Sequence, residues 1–264
     1  MKKLLTLAAL LICSAALAQN LETLSGIPYR EGALKDQCVL DIIRPEGKTG
    51  LPVVIWFHGG GLTMYDRHAM PRDLADPSYL VVTVEYRLLS DTVSIDDCLD
   101  DTAASVAWTL RHIREYGGDP DKVFLAGHSA GGYLLDIVGL DKRWLARYGE
   151  DPDHLVALIP FSGQVISHYA YRATLGMTPL QPLIDQYAPL ALIRPDAPHI
   201  VIISGDREME LYGRYEEQAY FWRMLKLVGH PAAYLYELDG FSHGDMAEPA
   251  CHILKSYVRS LLKK

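Results

Sequence analysis

Residues 122–135 read K-V-F-L-A-G-H-S-A-G-G-Y-L-L, and this order of residue types predicts a buried strand, a tight turn and a helix. The apolar run that ends at Ala126 is typical of a strand covered on both faces. Ser129 then stands in a G-x-S-x-G pentad whose glycines allow the backbone to pass closely without Cβ clashes. The stretch therefore predicts a serine hydroxyl raised above the sheet at a helix N-terminus, where N–H groups favour developing negative charge.

Similar apolar runs recur along the chain and alternate with helical patterns. One helix is expected to begin after the N-cap Ser94 and to end at Gly117, and a second begins at Ser129 or Ala130. Two more are expected over residues 215–228 and 250–262. The alternation predicts an α/β fold with a mostly parallel sheet and helices on both faces. Its strands are expected at residues 52–57, 80–86, 122–126, 155–161, 199–204 and 232–238, with an edge strand at 38–43.

The first eighteen residues have the pattern of a cleavable signal peptide. A basic start is followed by the apolar stretch from Leu4 to Leu11, and the small-x-small sequence Ala16-Leu17-Ala18 predicts cleavage before Gln19. A membrane anchor is the alternative, but the apolar stretch is shorter than the roughly 20 residues that span a bilayer. We expect residues 1–18 to be a signal peptide, residues 19–264 to form one domain, and the protein to be secreted or periplasmic.

Composition excludes several kinds of partner and cofactor. The formal charge of −8 and the lack of a long basic run argue against nucleic acid. Three cysteines would remain after cleavage, so at most one internal disulfide is possible, and its pairing cannot be read from the sequence. None lies in a metal or redox motif, so we expect no cofactor. These cysteines are Cys38, Cys98 and Cys251.

Residues 162–198 have no clean helical or strand period, and they mix Tyr, Pro, Gly and short apolar runs. They follow a predicted strand whose end faces the same edge as Ser129. The segment is expected to be a small cap or lid over the site. An ordinary crossover without substrate contact explains the same pattern.

A second glycine-rich turn follows the strand at residues 52–57. His58-Gly59-Gly60-Gly61 can direct backbone N–H groups towards the oxygen of a reacting carbonyl. We expect the amides of Gly60, Gly61 and Ala130 to form an oxyanion hole. His58 is expected to fix this loop and to take no part as a base.

A histidine and a carboxylate are the further residues expected to act together with Ser129. His243 follows the last predicted strand and comes after Ser129 and both candidate acids in the chain, and it can take and return the Ser129 proton. Two acids follow the strand at residues 199–204. Glu208 is preferred for its spacing after the strand-ending glycine, and Asp206 is the alternative for its residue type.

Taken in order, five motifs resemble the esterase/lipase branch of the α/β-hydrolases. The resemblance spans Tyr29 to Leu262. This branch includes hormone-sensitive-lipase-like carboxylesterases, acetyl xylan or feruloyl-type esterases, and kynurenine-formamidase-like enzymes. It implies a serine carboxylesterase that acts through an acyl-enzyme. Members usually have Asp where Glu208 stands, which leaves the acid open. The motifs are H-G-G-G at 58–61, E-Y-R-L at 85–88, Y-G-G-D-P at 116–120, G-H-S-A-G-G at 127–132 and G-F-S-H-G at 240–244.

The expected substrate is a small-molecule or carbohydrate ester, with short-chain or carbohydrate-linked esters as the preferred class. The hormone-sensitive-lipase group has a longer N-terminal cap, so its lack here implies an open pocket. An amide hydrolase of the formamidase or peptidase type would use the same residues. A non-catalytic binding protein of this fold is a further alternative, although Ser129, His243 and an acid are all present.

Overall fold

A single sheet of eight strands organises the computed structural model, which describes residues 20–32 and 37–261. Its spatial order is β1-β2-β4-β3-β5-β6-β7-β8. Strand β2 is antiparallel to both β1 and β4, and every other neighbouring pair is parallel. The strands are β1 (Leu21–Pro28), β2 (Val39–Pro45), β3 (Leu51–Phe57), β4 (Leu80–Val84), β5 (Gly118–His128), β6 (Ala157–Phe161), β7 (His199–Gly205) and β8 (Ala233–Leu238).

Alternation along the strands divides the core into two layers, because successive side chains point to opposite faces of a sheet. In β3, Val53 and Ile55 join one buried cluster, while Val54 and Trp56 join the other. The first cluster packs against α1 (Ile95–His112), α2 (Ala130–Leu140) and α5 (Arg214–Leu227), and the second against α6 (Ala247–Leu261). Helices therefore cover both faces, and the predicted α/β-hydrolase fold is confirmed. Two short helices, α3 (Lys142–Ala146) and α4 (Tyr169–Thr174), complete the set.

The helix ends follow their sequence signals closely. The Ser94 side chain accepts a hydrogen bond from the N–H of Asp97 at 3.2 Å, and Asp97 accepts one in return from the N–H of Ser94 at 2.9 Å. This capping box satisfies two amides that the first turn leaves without a helical partner. A short 3₁₀ turn then extends α1 to Gly117, whose φ of 91° ends it in the left-handed region.

The prediction that residues 38–43 form an edge strand is wrong. They lie in β2, and β1 pairs with their outer side in antiparallel register. The sequence of β1, L-E-T-L-S-G-I-P, is polar and contains Gly and Pro, and its residues are exposed or half-buried. An outer strand with so few apolar residues lacks the signal that identified the other strands.

Two further expectations concern the termini and the cysteines. The predicted signal peptide at residues 1–18 lies outside the described residues. Within the part of the chain that is described, no helix has the length and apolar character needed to span a bilayer. The three cysteines Cys38, Cys98 and Cys251 are buried and free, so none of them pairs with another.

One buried carboxyl group on α2 has a measurable consequence for stability. Asp136 is fully buried, and neither of its carboxylate oxygens has a hydrogen-bond partner among the described residues. Burial without a partner raises the pKa of Asp136 well above its ordinary value. The folded chain therefore binds this proton more tightly than the unfolded chain, and stability falls as the pH rises from about 4 through the folded pKa.

We therefore expect Asp136→Asn to be stabilising at pH 7 relative to the parent. At a pH above both pKa values, the substitution removes a loss in the free energy of unfolding of about 1.4 kcal/mol for each unit by which the Asp136 pKa in the folded chain exceeds that in the unfolded chain. The gain should shrink as the pH falls towards 4, because the parent carboxyl is then protonated in both states. Urea unfolding of both proteins between pH 4 and 8 measures this difference, and a gain that does not vary with pH would contradict it.

Candidate active site

Ser129 occupies a strained turn between β5 and α2. Its φ of 54° and ψ of −112° lie outside the regions that residues with a Cβ favour. The turn is held by hydrogen bonds from the N–H of Ser129 to the carbonyl of Phe161 at 2.8 Å and from the N–H of Tyr133 to the carbonyl of Ser129 at 3.0 Å. Such strain persists where surrounding structure enforces it, and it commonly marks functional positions.

The glycines of the pentad allow the end of β3 to pass against this turn. A Cβ added at Gly131 would lie 2.0 Å from the carbonyl oxygen of Phe57 and 2.7 Å from that of His58. At Gly127 the added atom would lie 2.7 Å from the same Phe57 oxygen. Backbone atoms cannot yield as a flexible side chain can, so residues 127 and 131 must lack a Cβ for Ser129 to lie beside the glycine loop at 58–61.

This packing predicts that Gly131→Ala destabilises the protein. The added methyl would force β3 and α2 apart, at a cost of about 1–3 kcal/mol or more. A matched control is Gly244→Ala, because a Cβ at Gly244 would meet nothing within 4 Å. Thermal unfolding should show a lower Tm for the first variant and a nearly unchanged Tm for the second. Equal stability of the two variants would show that the close approach is not maintained in solution.

The structure brings Ser129 and His243 together although they are far apart in the chain. His243 lies on the loop between β8 and α6, and its Nε2 is 2.9 Å from the Ser129 Oγ. The loop is held by His128, whose Nε2 lies 2.7 Å from the carbonyl oxygen of His243. Burial, with the nearby His243, lowers the pKa of His128 to about 4. A neutral His128 therefore donates its Nε2–H to that carbonyl and fixes the His243 backbone.

The carboxylate that contacts His243 is Glu210, so neither Glu208 nor Asp206 has the position predicted for the acid. The Glu210 Oε2 lies 2.8 Å from Nδ1 of His243, and its side chain is only 1% exposed. Glu208 is exposed, and Asp206 accepts hydrogen bonds at the surface from the N–H groups of Gly240 and Glu208, both at 2.8 Å.

The physical reason is a turn that follows β7. The N–H groups of Met209 and Glu210 both donate to the carbonyl of Asp206 at 3.0 Å, and this turn carries Glu210 back towards the end of β7. Counting residues from Gly205 assumes an extended exit and selects the wrong acid. The apolar neighbours of Glu210 offered no guidance, since Met209 and Leu211 are exposed.

Ser162 forms a second contact to the acid and was missed by the sequence analysis. Its hydroxyl lies 2.6 Å from the Glu210 Oε1 and 3.0 Å from His243 Nδ1. Its backbone has a φ of 49°, and its carbonyl accepts a hydrogen bond from the buried guanidinium of Arg214. A serine after a strand has no distinctive sequence signal, because the contact depends on the left-handed backbone that directs the hydroxyl inward.

These contacts keep Glu210 ionised. Burial by itself raises the pKa of this carboxyl. The hydrogen bond and the charge of His243 lower the pKa, and so do the hydrogen bonds donated by Ser162 and by the Gly205 N–H, the latter at 2.9 Å. The balance lowers the pKa of Glu210 to about 2. The carboxylate is therefore charged across the physiological range, and it can orient His243 and stabilise its protonated form.

The glycine loop after β3 lies against the serine. A Cβ added at Gly59 would be 3.5 Å from the Ser129 Cβ, and Gly60 and Gly61 have φ values of 95° and 64°. Among the described residues, the loop hydrogen bonds include no backbone acceptor for the amides of Gly60 and Gly61. Ala130 is the first residue of α2, where N–H groups lack helical partners. The three predicted donors therefore belong to two segments that meet at Ser129.

The His58 ring is engaged by Tyr86 and by the glycine loop. Its ring stacks on Tyr86 with centroids 4.3 Å apart, and its Nδ1 lies 2.9 Å from the carbonyl oxygen of Gly59. Burial lowers the pKa of His58 to about 4, so its ring is neutral near pH 7. The Tyr86 hydroxyl donates to the His58 carbonyl at 2.8 Å. The pair fixes the glycine loop.

The irregular segment at 162–198 contacts the site at its first half. It contains α4 and a 3₁₀ turn at Pro189–Leu192. The Tyr169 hydroxyl approaches the glycine loop so closely that a Cβ at Gly61 would lie 2.1 Å from it. The backbone carbonyl of Tyr187 accepts a hydrogen bond from the Tyr133 hydroxyl at 2.7 Å, which attaches the segment to α2.

Across residues 20–32 and 37–261, no group of three His, Cys, Asp or Glu residues is placed to bind a metal.

Comparisons with known proteins relate the chain to ester hydrolases. The BD-FAE family model matches residues 40–163, which include the glycine loop and the serine turn. A probable carboxylic ester hydrolase, LipM, of Mycobacterium tuberculosis is 33% identical over 119 residues, covering 42% of this chain and 27% of its own length. A probable isoprenylcysteine alpha-carbonyl methylesterase of rice is 25% identical over 235 residues, covering 78% of this chain and 54% of its own. The chain thus spans about half or less of the length of these curated relatives.

Solved structures agree on the fold. A truncated carbohydrate esterase from gut microbiota superposes with a TM-score of 0.74 at 17% identity, covering 92% of this chain and 97% of that one. Inhibited esterase B of Lactobacillus rhamnosis gives a TM-score of 0.73 at 19% identity, with coverage of 92% and 88%.

Proposed function

Because the chain belongs to the esterase/lipase branch of the α/β-hydrolase superfamily, we propose that it is a serine carboxylesterase. One observation carries the proposal: the chain of contacts from the Ser129 Oγ to His243 Nε2 at 2.9 Å and from His243 Nδ1 to Glu210 at 2.8 Å. Ser129 is the nucleophile, His243 the general base, and Glu210 orients and stabilises the imidazole.

The reaction begins when the Ser129 Oγ attacks the ester carbonyl carbon and its proton moves to His243 Nε2. The carbonyl oxygen becomes an oxyanion that accepts hydrogen bonds from the amides of Gly60, Gly61 and Ala130. The C–O bond to the alcohol breaks as His243 returns the proton to the leaving oxygen. Water then attacks the acyl-enzyme by the same route and releases the acid, so Ser129 regains its proton.

The substrate class we propose is short-chain or carbohydrate-linked esters. In this proposal residues 162–198 form a small cap, which contacts the glycine loop where the Tyr169 hydroxyl lies against Gly61. The resemblance in fold to a carbohydrate esterase supports the same class. Export by the predicted signal peptide at residues 1–18 would place one domain of residues 19–264 among extracellular or periplasmic esters, and sequencing the mature N-terminus should find Gln19 first.

A comparison of ester and amide hydrolysis tests this function. We expect turnover of p-nitrophenyl acetate and of acetylated sugars, with formyl-kynurenine and a dipeptidyl amide cleaved at least 100-fold more slowly. Esters react more readily because resonance stabilises the amide C–N bond, and an amide nitrogen must be protonated before it can leave. Preference for an amide would overturn the esterase assignment in favour of a formamidase or peptidase. No turnover of any substrate would favour a binding protein.

A further inference from the structure

A mostly apolar pocket of about 270 Å³ is lined by residues that precede Ser129 and follow His243 in the chain. Three of the residues that line it are chain neighbours of the reacting groups. Gly59 lies in the oxyanion loop, His128 precedes the nucleophile, and Gly244 follows His243. An atom added as a Cβ at Gly59 would be 3.1 Å from His128 Nδ1 and 3.5 Å from the Ser129 Cβ. The pocket is therefore within reach of a group attached to an ester bound at Ser129.

The walls of the pocket are tied together before any ligand binds. The Trp56 Nε1–H donates to the carbonyl of Ala69 at 3.1 Å and holds the loop after the oxyanion glycines against β3. The Glu248 carboxylate, at the start of α6, accepts hydrogen bonds from the N–H groups of Arg72 and Asp73 at 2.9 and 3.0 Å. A pocket with preformed walls loses little conformational entropy when it takes a ligand.

Tyr65 provides an aromatic face at this pocket. It is 64% exposed, and its φ is 71°, an unfavourable conformation for a bulky residue. Its ring lies over Gly60, since a Cβ there would be 2.8 Å from the Tyr65 Cδ2. The strained backbone thus holds an exposed ring beside the oxyanion loop without the benefit of burial. Strain of this kind is retained chiefly where function requires it.

We propose that this pocket binds the leaving-alcohol part of the ester and accepts a single uncharged ring with a flat apolar face. The inference rests on the proposed function, and it identifies which arm of the substrate determines specificity. His243 must return its proton to the leaving oxygen, so the alcohol lies on the His243 side, which Gly244 shares with the pocket. An aryl ring and the apolar face of a sugar ring have this chemistry in common.

Size and charge limit the occupant further. A volume of about 270 Å³ is at or below the lower end of small-molecule pockets and fits one ring better than two. No Lys or Arg is found among the described residues that line it, and Glu248 carries a carboxylate. An anionic alcohol would therefore find no partner there.

Ala247→Phe tests the proposal, because Ala247 lines the pocket from the first turn of α6. Ser256→Phe, on the exposed side of the same helix, is the matched control. Phenyl acetate, 6-O-acetylglucose and methyl acetate carry the same acyl group and differ only in the alcohol. We expect Ala247→Phe to lower kcat/KM for a ring ester by about tenfold or more, as filling a binding pocket does. Methyl acetate should change less than twofold in either variant.

A second variant addresses the aromatic face without filling the pocket. Tyr65→Ala should lower kcat/KM for the ring ester by about 3- to 10-fold, the usual value of one aromatic contact, while Tyr65→Phe retains it. Whichever ring ester loses activity identifies the occupant as aryl or sugar. Equal losses on methyl acetate, or losses that follow acyl length in phenyl acetate and phenyl butyrate, would overturn the proposal. Lack of activity on every ester in the parent would refute the proposed function instead.

Discussion

Ser129→Ala is expected to abolish ester hydrolysis while the protein remains folded. The Ser129 Oγ is the atom that forms the acyl-enzyme. A water molecule at the same position could not take over this role unless the general base were positioned differently. Loss of a serine nucleophile in such a site lowers turnover by about 10³- to 10⁶-fold. The measurement is the initial rate on p-nitrophenyl acetate, with the residual rate compared with buffer alone.

Stability provides the control for this variant. Ser129 has a strained backbone, and alanine relieves none of that strain, so the Tm should stay close to that of the parent. If the variant is folded and inactive, the loss of activity is due to the missing nucleophile and not to unfolding. Full activity in Ser129→Ala would show that another residue is the nucleophile.

Glu210→Gln is expected to have the second-largest effect, a loss of about 10²- to 10⁴-fold in kcat. The Glu210 Oε1 faces two donors, the Ser162 hydroxyl at 2.6 Å and the Gly205 N–H at 2.9 Å. The glutamine oxygen would take that position, and its NH₂ group would then face His243 Nδ1. An imidazole that accepts at Nδ1 carries its proton on Nε2 and cannot accept the Ser129 proton.

Glu208→Gln is the matched control, since it makes the same change two residues away at an exposed position. It should leave kcat within about twofold, as surface substitutions usually do. A Glu210 pKa of about 2 keeps this carboxylate charged from pH 5 to 8, so the parent should lose no activity through protonation of Glu210 in that range. A larger loss in Glu208→Gln than in Glu210→Gln would restore the acid chosen from sequence.

Residues that depend on local pattern were predictable from the sequence. The Ser129 turn and the glycine loop each follow a buried strand directly, so their position at one sheet edge follows from parallel topology. His243 was placed by its order in the chain after the last strand. The same logic gave the capping box at Ser94, where side chain and backbone interact within one turn.

Residues that depend on how a loop turns were not predictable. Glu210 reaches His243 only because the Asp206 carbonyl accepts two amides and reverses the chain. Ser162 reaches Glu210 only through a left-handed backbone, which serine rarely adopts and which no neighbouring residue signals. Strand β1 was missed because an outer strand with a polar sequence has no apolar run to identify it.

Covalent labelling tests the central claim most directly. The parent protein would be treated with a fluorophosphonate, digested and analysed by mass spectrometry, with Glu210→Gln treated in parallel. A hydroxyl activated by His243 should react stoichiometrically at Ser129, and the reaction should be at least about 100-fold slower in Glu210→Gln. Modification at any other residue, or no modification of a folded parent protein, would contradict the account.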